Sequence, residues 1–89
     1  MQLDTPSIVA AIKAKVVEIA ASLGSDANDI DANDILPVTG LIDSAGLLDL
    51  IAWFEAAYAF RVPTEDFTID NLGSINAMAE YLLKSKGLK

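Results

Sequence analysis

The chain has 89 residues, of which 53% are hydrophobic and 21% charged, with a formal net charge of −7. This is typical of one small globular domain, and we expect a single domain over residues 1–89 with its core at about 6–85. So negative a charge disfavours binding to nucleic acid or to an anionic membrane surface. The sequence contains no Cys and no His. Their absence excludes thiol nucleophiles and zinc–thiolate sites, and it removes the commonest general base.

No apolar run approaches the roughly 20 residues that a membrane span needs. Asp4 and the lack of a long apolar segment near the N-terminus argue against a signal peptide, so we expect a cytoplasmic protein. Residues 16–83 contain twelve acidic residues and one basic residue, Arg61, a local net charge of −11. Such a surface either keeps the protein soluble or recognises basic partners, and it favours a monomer.

The first predicted helix covers residues 6–23. Thr5 suits the N-cap and Pro6 the first helical position, and Gly24 is placed to end the helix. The apolar residues between them recur at helical spacing. They are Ile8, Val9, Ile12, Val16, Ile19, Ala20 and Leu23.

Residues 25–43 are predicted to form a long loop, because Asp, Asn, Ser, Pro and Gly dominate there. Asp29, Asp31 and Asn33 fit the first ligands of a calcium loop, but Asp34 and Gly40 occupy the positions that need Gly and Glu. We therefore predict capped turns with solvated carboxylates. Apolar residues in the loop are expected to pin it over the core, namely Ile30, Ile35, Leu36, Val38, Leu41 and Ile42.

The second predicted helix covers residues 44–58 and has two distinct faces on a helical wheel. The predicted core face consists of Leu47, Leu50, Ile51, Phe54, Ala57 and Tyr58. The predicted outer face consists of Ala45, Leu48, Asp49, Ala52, Glu55 and Ala56. An exposed leucine among small residues and carboxylates is either incidental or a contact surface for a partner.

A short turn is predicted over residues 64–67 and a last helix after Ser74, its N-cap. The inward residues of that helix are Ile75, Met78, Ala79, Leu82 and Leu83. The aromatic residues are expected in the core or at its edge. They are Trp53, Phe54, Tyr58, Phe60, Phe67 and Tyr81. The predicted fold is all-α: a small four-helix bundle of three long helices and one short one, with a long first loop.

Nothing in the sequence resembles a catalytic triad, a phosphate-binding glycine loop or a metal cluster, so no catalytic or metal-binding residue is assigned. We predict that the chain is not an enzyme. Alternatives are a small enzyme and a calcium sensor. Ser44, at the end of the long loop, opens the second helix, where free N–H groups suit a phosphate. Alternatively, Asp43 or Ser44 is simply the helix cap.

Residues 40–44 (Gly-Leu-Ile-Asp-Ser), with the helix and turn that follow them, resemble the acyl carrier protein family, including its peptidyl and D-alanyl carrier relatives. The resemblance covers roughly residues 6–85. Further matches lie at Leu50, Phe54, Glu55 and Tyr58, in the turn at 62–66 and in the last helix at 74–82.

The resemblance implies that Ser44 bears a 4′-phosphopantetheine group, which a phosphopantetheinyl transferase attaches from coenzyme A with a divalent metal. The protein would then be a phosphoprotein. Asp43 is implied to support that attachment. The thiol of the group would hold an acyl or aminoacyl thioester, which explains how a carrier can lack cysteine. Leu50, Phe54, Ile75 and Met78 are candidates for lining a shelter for the cargo.

The resemblance further implies partners with basic patches, namely enzymes that load or transfer acyl or aminoacyl groups. Asp43, Asp49 and Glu55 would steer them, while Ala45, Leu48 and Ala52 supply apolar contact. Ala45 stands where many carriers have Leu or Met, and Asp-Ser-x-Gly is similar to some D-alanyl carriers. The cargo stays open between fatty acyl, polyketide, hydroxyacyl and amino acid. A free-standing carrier is expected, and the alternative is an acidic helical interaction module without a prosthetic group.

Overall fold

The computed structural model describes residues 3–87, all of whose regular structure is helical. The three long helices are α1 (Thr5–Ser22), α3 (Ser44–Tyr58) and α5 (Ile75–Ser85). Two single-turn helices, α2 (Leu36–Thr39) and α4 (Ile69–Leu72), lie between them with a 3₁₀ helix (Thr64–Asp66). The predicted all-α bundle is thereby confirmed, and the predicted short turn is the 3₁₀ helix. The sequence did not reveal α2 and α4, because four residues are too few to show a helical period.

Helix α1 begins one residue earlier than predicted. Asp4, not Thr5, is the N-cap, because its carbonyl accepts the first helical hydrogen bond from Ile8 N–H at 3.0 Å. At the other end Gly24 N–H donates to Ala21 O and Ser25 N–H donates to Ala20 O. These two bonds satisfy terminal carbonyls of the helix and end it at the predicted place.

The core lies where α1 packs against α3 and α5. Its fully buried side chains include Ile8, Ile12, Val16, Leu50, Phe54, Ile75, Met78 and Leu82. Phe54 makes edge-to-face contacts with Tyr58 and Phe60, at centroid distances of 5.6 and 5.2 Å. The predicted inward faces are confirmed for α3 and α5. The expectation for Phe67 was wrong, because its side chain is 40% exposed.

The loop between α1 and α3 is anchored by only some of its apolar residues. Ile30, Leu36 and Ile42 are buried as predicted. Ile35 and Val38 are 36% and 80% exposed, contrary to the prediction. The reason is α2: its single turn directs Leu36 inward, so its neighbours face outward.

The acidic residues of this loop cap local turns. Asp26 Oδ1 accepts from Asn28 N–H at 2.9 Å, and Asp31 Oδ1 accepts from Asn33 N–H at 2.8 Å. The backbone hydrogen bond from Asn28 lowers the pKa of Asp26. These contacts match the predicted capped turns.

Two backbone hydrogen bonds join the long loop to the second half of the chain. Leu36 N–H donates to Gly73 O at 2.7 Å, and Asn76 N–H donates to Ala32 O at 3.0 Å. Asn76 Nδ2 also donates to Asn33 Oδ1 at 2.7 Å. As a result, α2 lies beside the junction of α4 and α5. Among residues 3–87, no helix has the length and apolar character required to cross a membrane.

Candidate functional site

Ser44 is the first residue of α3. The preceding turn begins at Gly40, whose φ of +74° is the left-handed conformation that glycine adopts without strain. The chain reverses there after α2, and Leu41 N–H donates to Thr39 Oγ1. Buried Ile42 then fixes the turn to the core, so that Asp43 and Ser44 emerge at the surface.

Asp43 is the N-cap of α3. Its backbone is extended, and its Oδ1 accepts a hydrogen bond from Gly46 N–H at 2.7 Å. The Ser44 side chain is exposed and makes no hydrogen bond to another residue in the described part of the chain. Of the two residues that could have capped the helix, the aspartate does so, and the serine hydroxyl stays free.

The first turn of α3 offers a favourable setting for a phosphoryl group. The N–H groups of Ser44 and Ala45 precede the first intrahelical bond of α3, which Leu47 N–H donates to Asp43 O at 2.9 Å. The aligned peptide dipoles give this end partial positive charge. A phosphate ester on the Ser44 oxygen would therefore lie beside unpaired donors.

Gly46 lies in the same turn and is buried. A glycine lowers helix stability by about 1 kcal/mol relative to alanine. Here a Cβ would come 2.8 Å from Ile42 Cγ2 and 3.1 Å from Ile19 Cγ2. The close approach of α3 to these two side chains explains why this position holds glycine.

A mainly apolar cleft of about 510 Å³ opens beside Ser44. Helix α3 forms its floor, and α2 and the α4 region form its walls. It is lined by Leu36, Pro37, Ile42, Asp43, Ser44, Leu47, Leu48, Ile51, Phe67, Thr68, Ile69, Leu72 and Gly73. A flexible arm on Ser44 would start at the mouth of this cleft.

The residues predicted to line a shelter do not line this cleft. Leu50, Phe54, Ile75 and Met78 are all 0% exposed and belong to the core. Sequence reasoning missed Phe67 and Ile69, which face the cleft from the α4 region. In a segment this short, the sequence pattern cannot distinguish a large apolar residue in the core from one in the wall of a cleft.

The predicted outer face of α3 is present. Ala45, Leu48, Asp49 and Ala52 are exposed, and Leu48 is 57% exposed. Glu55 is half-buried, and its Oε2 accepts a hydrogen bond from Val62 N–H at 2.7 Å. One carboxylate oxygen of Glu55 is thus engaged in holding the turn after α3, whereas Asp49 projects into solvent.

The chemistry of the site is limited to one free hydroxyl and its surroundings. No group of three or more acidic side chains that could hold a metal ion occurs within residues 3–87. The exposed Ser44 oxygen, the donors of the α3 first turn and the adjacent cleft fit a covalently attached phosphate ester with a flexible arm. This arrangement is the one that a domain carrying a prosthetic group on a serine requires.

Comparison with known proteins agrees with this geometry. The family model described as "Phosphopantetheine attachment site" matches residues 14–82. The D-alanyl carrier protein of Streptococcus sanguinis is 34% identical over 70 residues, which cover 78% of this chain and 87% of that protein. The D-alanyl carrier proteins of Streptococcus thermophilus and Streptococcus gordonii are each 33% identical, with the same coverage. No solved structure matches the chain.

The chain belongs to the phosphopantetheine-binding carrier protein family. It is a carrier protein with covalently attached 4′-phosphopantetheine, not itself catalytic but acted on by other enzymes. Its partners are a phosphopantetheinyl transferase and biosynthetic enzymes. Family membership favours the carrier over the alternative of an interaction module without a prosthetic group.

Proposed function

We propose that Ser44 bears the 4′-phosphopantetheine group and that the protein carries a small amino acid on it as a thioester. The observation that supports this attachment site is that Asp43, and not Ser44, caps α3. Asp43 Oδ1 caps α3 through Gly46 N–H at 2.7 Å, which leaves the exposed Ser44 hydroxyl available.

The attachment reaction transfers a phosphoryl-linked arm from coenzyme A. The Ser44 oxygen forms a bond to the phosphorus that bears pantetheine, and the bond between that phosphorus and the oxygen of adenosine 3′,5′-bisphosphate breaks. The hydroxyl proton passes to a base on the transferase. Ser44 needs no base of its own, and Asp43 supports the transferase's divalent metal as well as the helix.

The amino-acid cargo is supported by the relatives, which are named as D-alanyl carrier proteins. D-alanine is therefore our first candidate for the cargo. The apolar cleft beside Ser44 favours a second candidate, a fatty acyl or polyketide chain, because its volume of about 510 Å³ exceeds what a single alanyl group fills.

Partner enzymes are proposed to dock on the outer face of α3. Exposed Leu48, with Ala45 and Ala52, offers apolar contact, and Asp43 and Asp49 attract basic patches. Glu55 contributes through its remaining carboxylate oxygen. We further propose that the carrier is one domain and acts as a cytoplasmic monomer, since its net charge of −7 resists self-association.

The attachment site is tested by intact mass after incubation with coenzyme A, magnesium and a broad-specificity phosphopantetheinyl transferase. Wild type and Ser25→Ala are expected to gain one phosphopantetheinyl group, and Ser44→Ala none. Ser25→Ala is the matched control, because it removes a hydroxyl outside the site. Modification of Ser44→Ala, or no modification of folded wild type, would refute the assignment.

The cargo is tested with D-alanyl, L-alanyl and octanoyl thioesters loaded onto the protein by the same transferase. We compare the hydrolysis rate of each with that of the corresponding coenzyme A thioester. If the protein carries a small amino acid, we expect the attached octanoyl thioester to hydrolyse as fast as octanoyl coenzyme A. Slower octanoyl hydrolysis with a raised melting temperature would support the acyl-chain candidate instead.

A further inference from the structure

Gly46 lies closest to side-chain atoms of Ile42, Ile19 and Asp43, two of which belong to the turn that leads into Ser44. A Cβ built on Gly46 lies 2.8 Å from Ile42 Cγ2, 3.1 Å from Ile19 Cγ2 and 3.2 Å from Asp43 Oδ1. Ile42 and Ile19 are 4% and 8% exposed, so they are packed on their other sides. Their Cγ2 methyl groups branch directly from Cβ, where rotation is restricted. These methyl groups have little room to move aside.

We propose that Gly46 is a positioning residue for the modification of Ser44. The inference rests on the proposed attachment at Ser44. Because position 46 has no side chain, the first turn of α3 packs directly against Ile42 and Ile19. The Gly46 N–H donates a hydrogen bond to the Asp43 carboxylate at 2.7 Å. Ser44 belongs to the same turn, so this contact sets the position of its hydroxyl at the mouth of the cleft.

An added methyl group at position 46 moves the turn away from Ile42 and crowds the Asp43 carboxylate. The cap hydrogen bond then lengthens or turns, and Ser44 shifts with the backbone that carries it. In-line transfer of a phosphoryl group is sensitive to such a shift, since a displacement of about 1 Å can lower a rate by about a hundredfold. Position 46 lies outside the outer face of α3, so the exposed side chains of Ala45, Leu48, Asp49 and Ala52 stay available to bind the transferase.

The experiment measures kcat and KM of the transferase with Gly46→Ala as the substrate protein, at a temperature where circular dichroism shows the variant to be folded. We expect kcat to fall at least about tenfold with KM within about twofold of wild type. A role in stability alone leaves kcat unchanged under these conditions, because the substrate is folded. Wild-type kcat for Gly46→Ala would overturn the proposal.

A second variant separates the contact with Ile42 from other effects. Ile42→Leu removes the Cγ2 methyl that a Cβ at position 46 would meet, while it keeps an apolar side chain of equal size. The double variant Ile42→Leu/Gly46→Ala is expected to recover kcat to within about threefold of Ile42→Leu alone. Should Gly46→Ala fail to fold, the double variant is compared with Ile42→Leu alone, and a kcat more than about tenfold below that of Ile42→Leu would refute the steric account. A folded double variant that remains as slow as Gly46→Ala would refute the steric account.

Failure of the attachment assignment gives a different result. In that case wild type gains no phosphopantetheinyl group, or the Ser44→Ala variant still gains one. If wild type is modified at Ser44 and Gly46→Ala is modified equally fast, only the inference about Gly46 fails.

Discussion

The Tyr81 hydroxyl donates a 2.6 Å hydrogen bond to Asp66 Oδ2 and thereby joins α5 to the 3₁₀ helix. Asp66 also accepts, through its backbone carbonyl, a hydrogen bond from Asn71 Nδ2 at 3.2 Å. Asn71 belongs to α4, which forms one wall of the cleft. The contact between Tyr81 and Asp66 therefore holds that wall against the long helix behind it.

Tyr81→Phe is expected to change how stability depends on alkaline pH. Burial, the hydrogen bond to Asp66 and the charge of Asp66 raise the pKa of Tyr81 from 10.0 to about 12. Because the pKa is higher in the folded state, the contribution of Tyr81 is complete below pH 10 and is lost as the pH rises toward about 12. Urea unfolding should show that wild type has a higher free energy of unfolding than Tyr81→Phe at neutral pH. This difference should shrink as the pH rises from 10 toward about 12. A difference that does not change with pH would contradict the assignment.

Asp43→Ala is expected to destabilise the protein by about 0.5–2 kcal/mol, the usual effect of removing a helix cap. Gly46 N–H would lose its acceptor in the first turn of α3. Asp43→Asn is the matched control, because its amide oxygen can accept the same hydrogen bond. Urea unfolding measures both. Equal destabilisation by the two substitutions would show that the charge, and not the cap, is what matters.

Gly73→Ala is expected to destabilise the protein by about 1–3 kcal/mol. A Cβ at position 73 would collide with the backbone carbonyl of Ile69, and it would lie 2.7 Å from Ile69 Cγ2. Because a backbone carbonyl cannot rotate aside as a side chain can, α4 must shift. Gly73 O, which accepts the hydrogen bond from Leu36 N–H, must shift with it. Thermal unfolding gives the stability. A higher melting temperature, as expected for an unconstrained glycine, would contradict this packing.

Asn76→Ala is expected to loosen the long loop without unfolding the bundle. The substitution removes the 2.7 Å hydrogen bond from Asn76 Nδ2 to Asn33 Oδ1, while the backbone bond to Ala32 O can persist. Amide hydrogen exchange should accelerate over residues 26–35 and stay unchanged in the middle of α1 and α5. Asn28→Ala, whose side chain bonds only within the loop to Asp26, serves as the control.

Leu48→Arg is expected to weaken transfer by partner enzymes while leaving the fold intact. Leu48 is 57% exposed, whereas Leu50 on the same helix is fully buried. Leu50→Ala should therefore destabilise the protein by about 2–5 kcal/mol, and Leu48→Arg by less than about 0.5 kcal/mol. Partner kcat/KM and melting temperature are measured for both. Wild-type transfer by Leu48→Arg would exclude this face as the docking surface.

The long helices were predictable because their signals are local. Caps, stop residues and apolar spacing located α1, α3 and α5 to within about a residue or two, and the same spacing identified their buried faces. The Asp43–Ser44 pair was found from its place at the start of a recognisable helix, and the resemblance to a known family gave it a role. The two single-turn helices show no period, so neither they nor the exposure of Val38 and Phe67 could be predicted.

The sequence by itself determined that this is an acidic, helical protein with a serine at the start of its second long helix, and its resemblance to a known family predicted a carrier. Only the tertiary structure decided which residue caps that helix, why position 46 holds glycine and which segments enclose the cleft. The cap is a local contact between Asp43 and Gly46, but the glycine and the cleft depend on atoms from distant parts of the chain. Ile19 approaches Gly46 from α1, and Gly73 O accepts the backbone bond that places α2. Local propensity cannot report such distances, because they arise only when the helices pack.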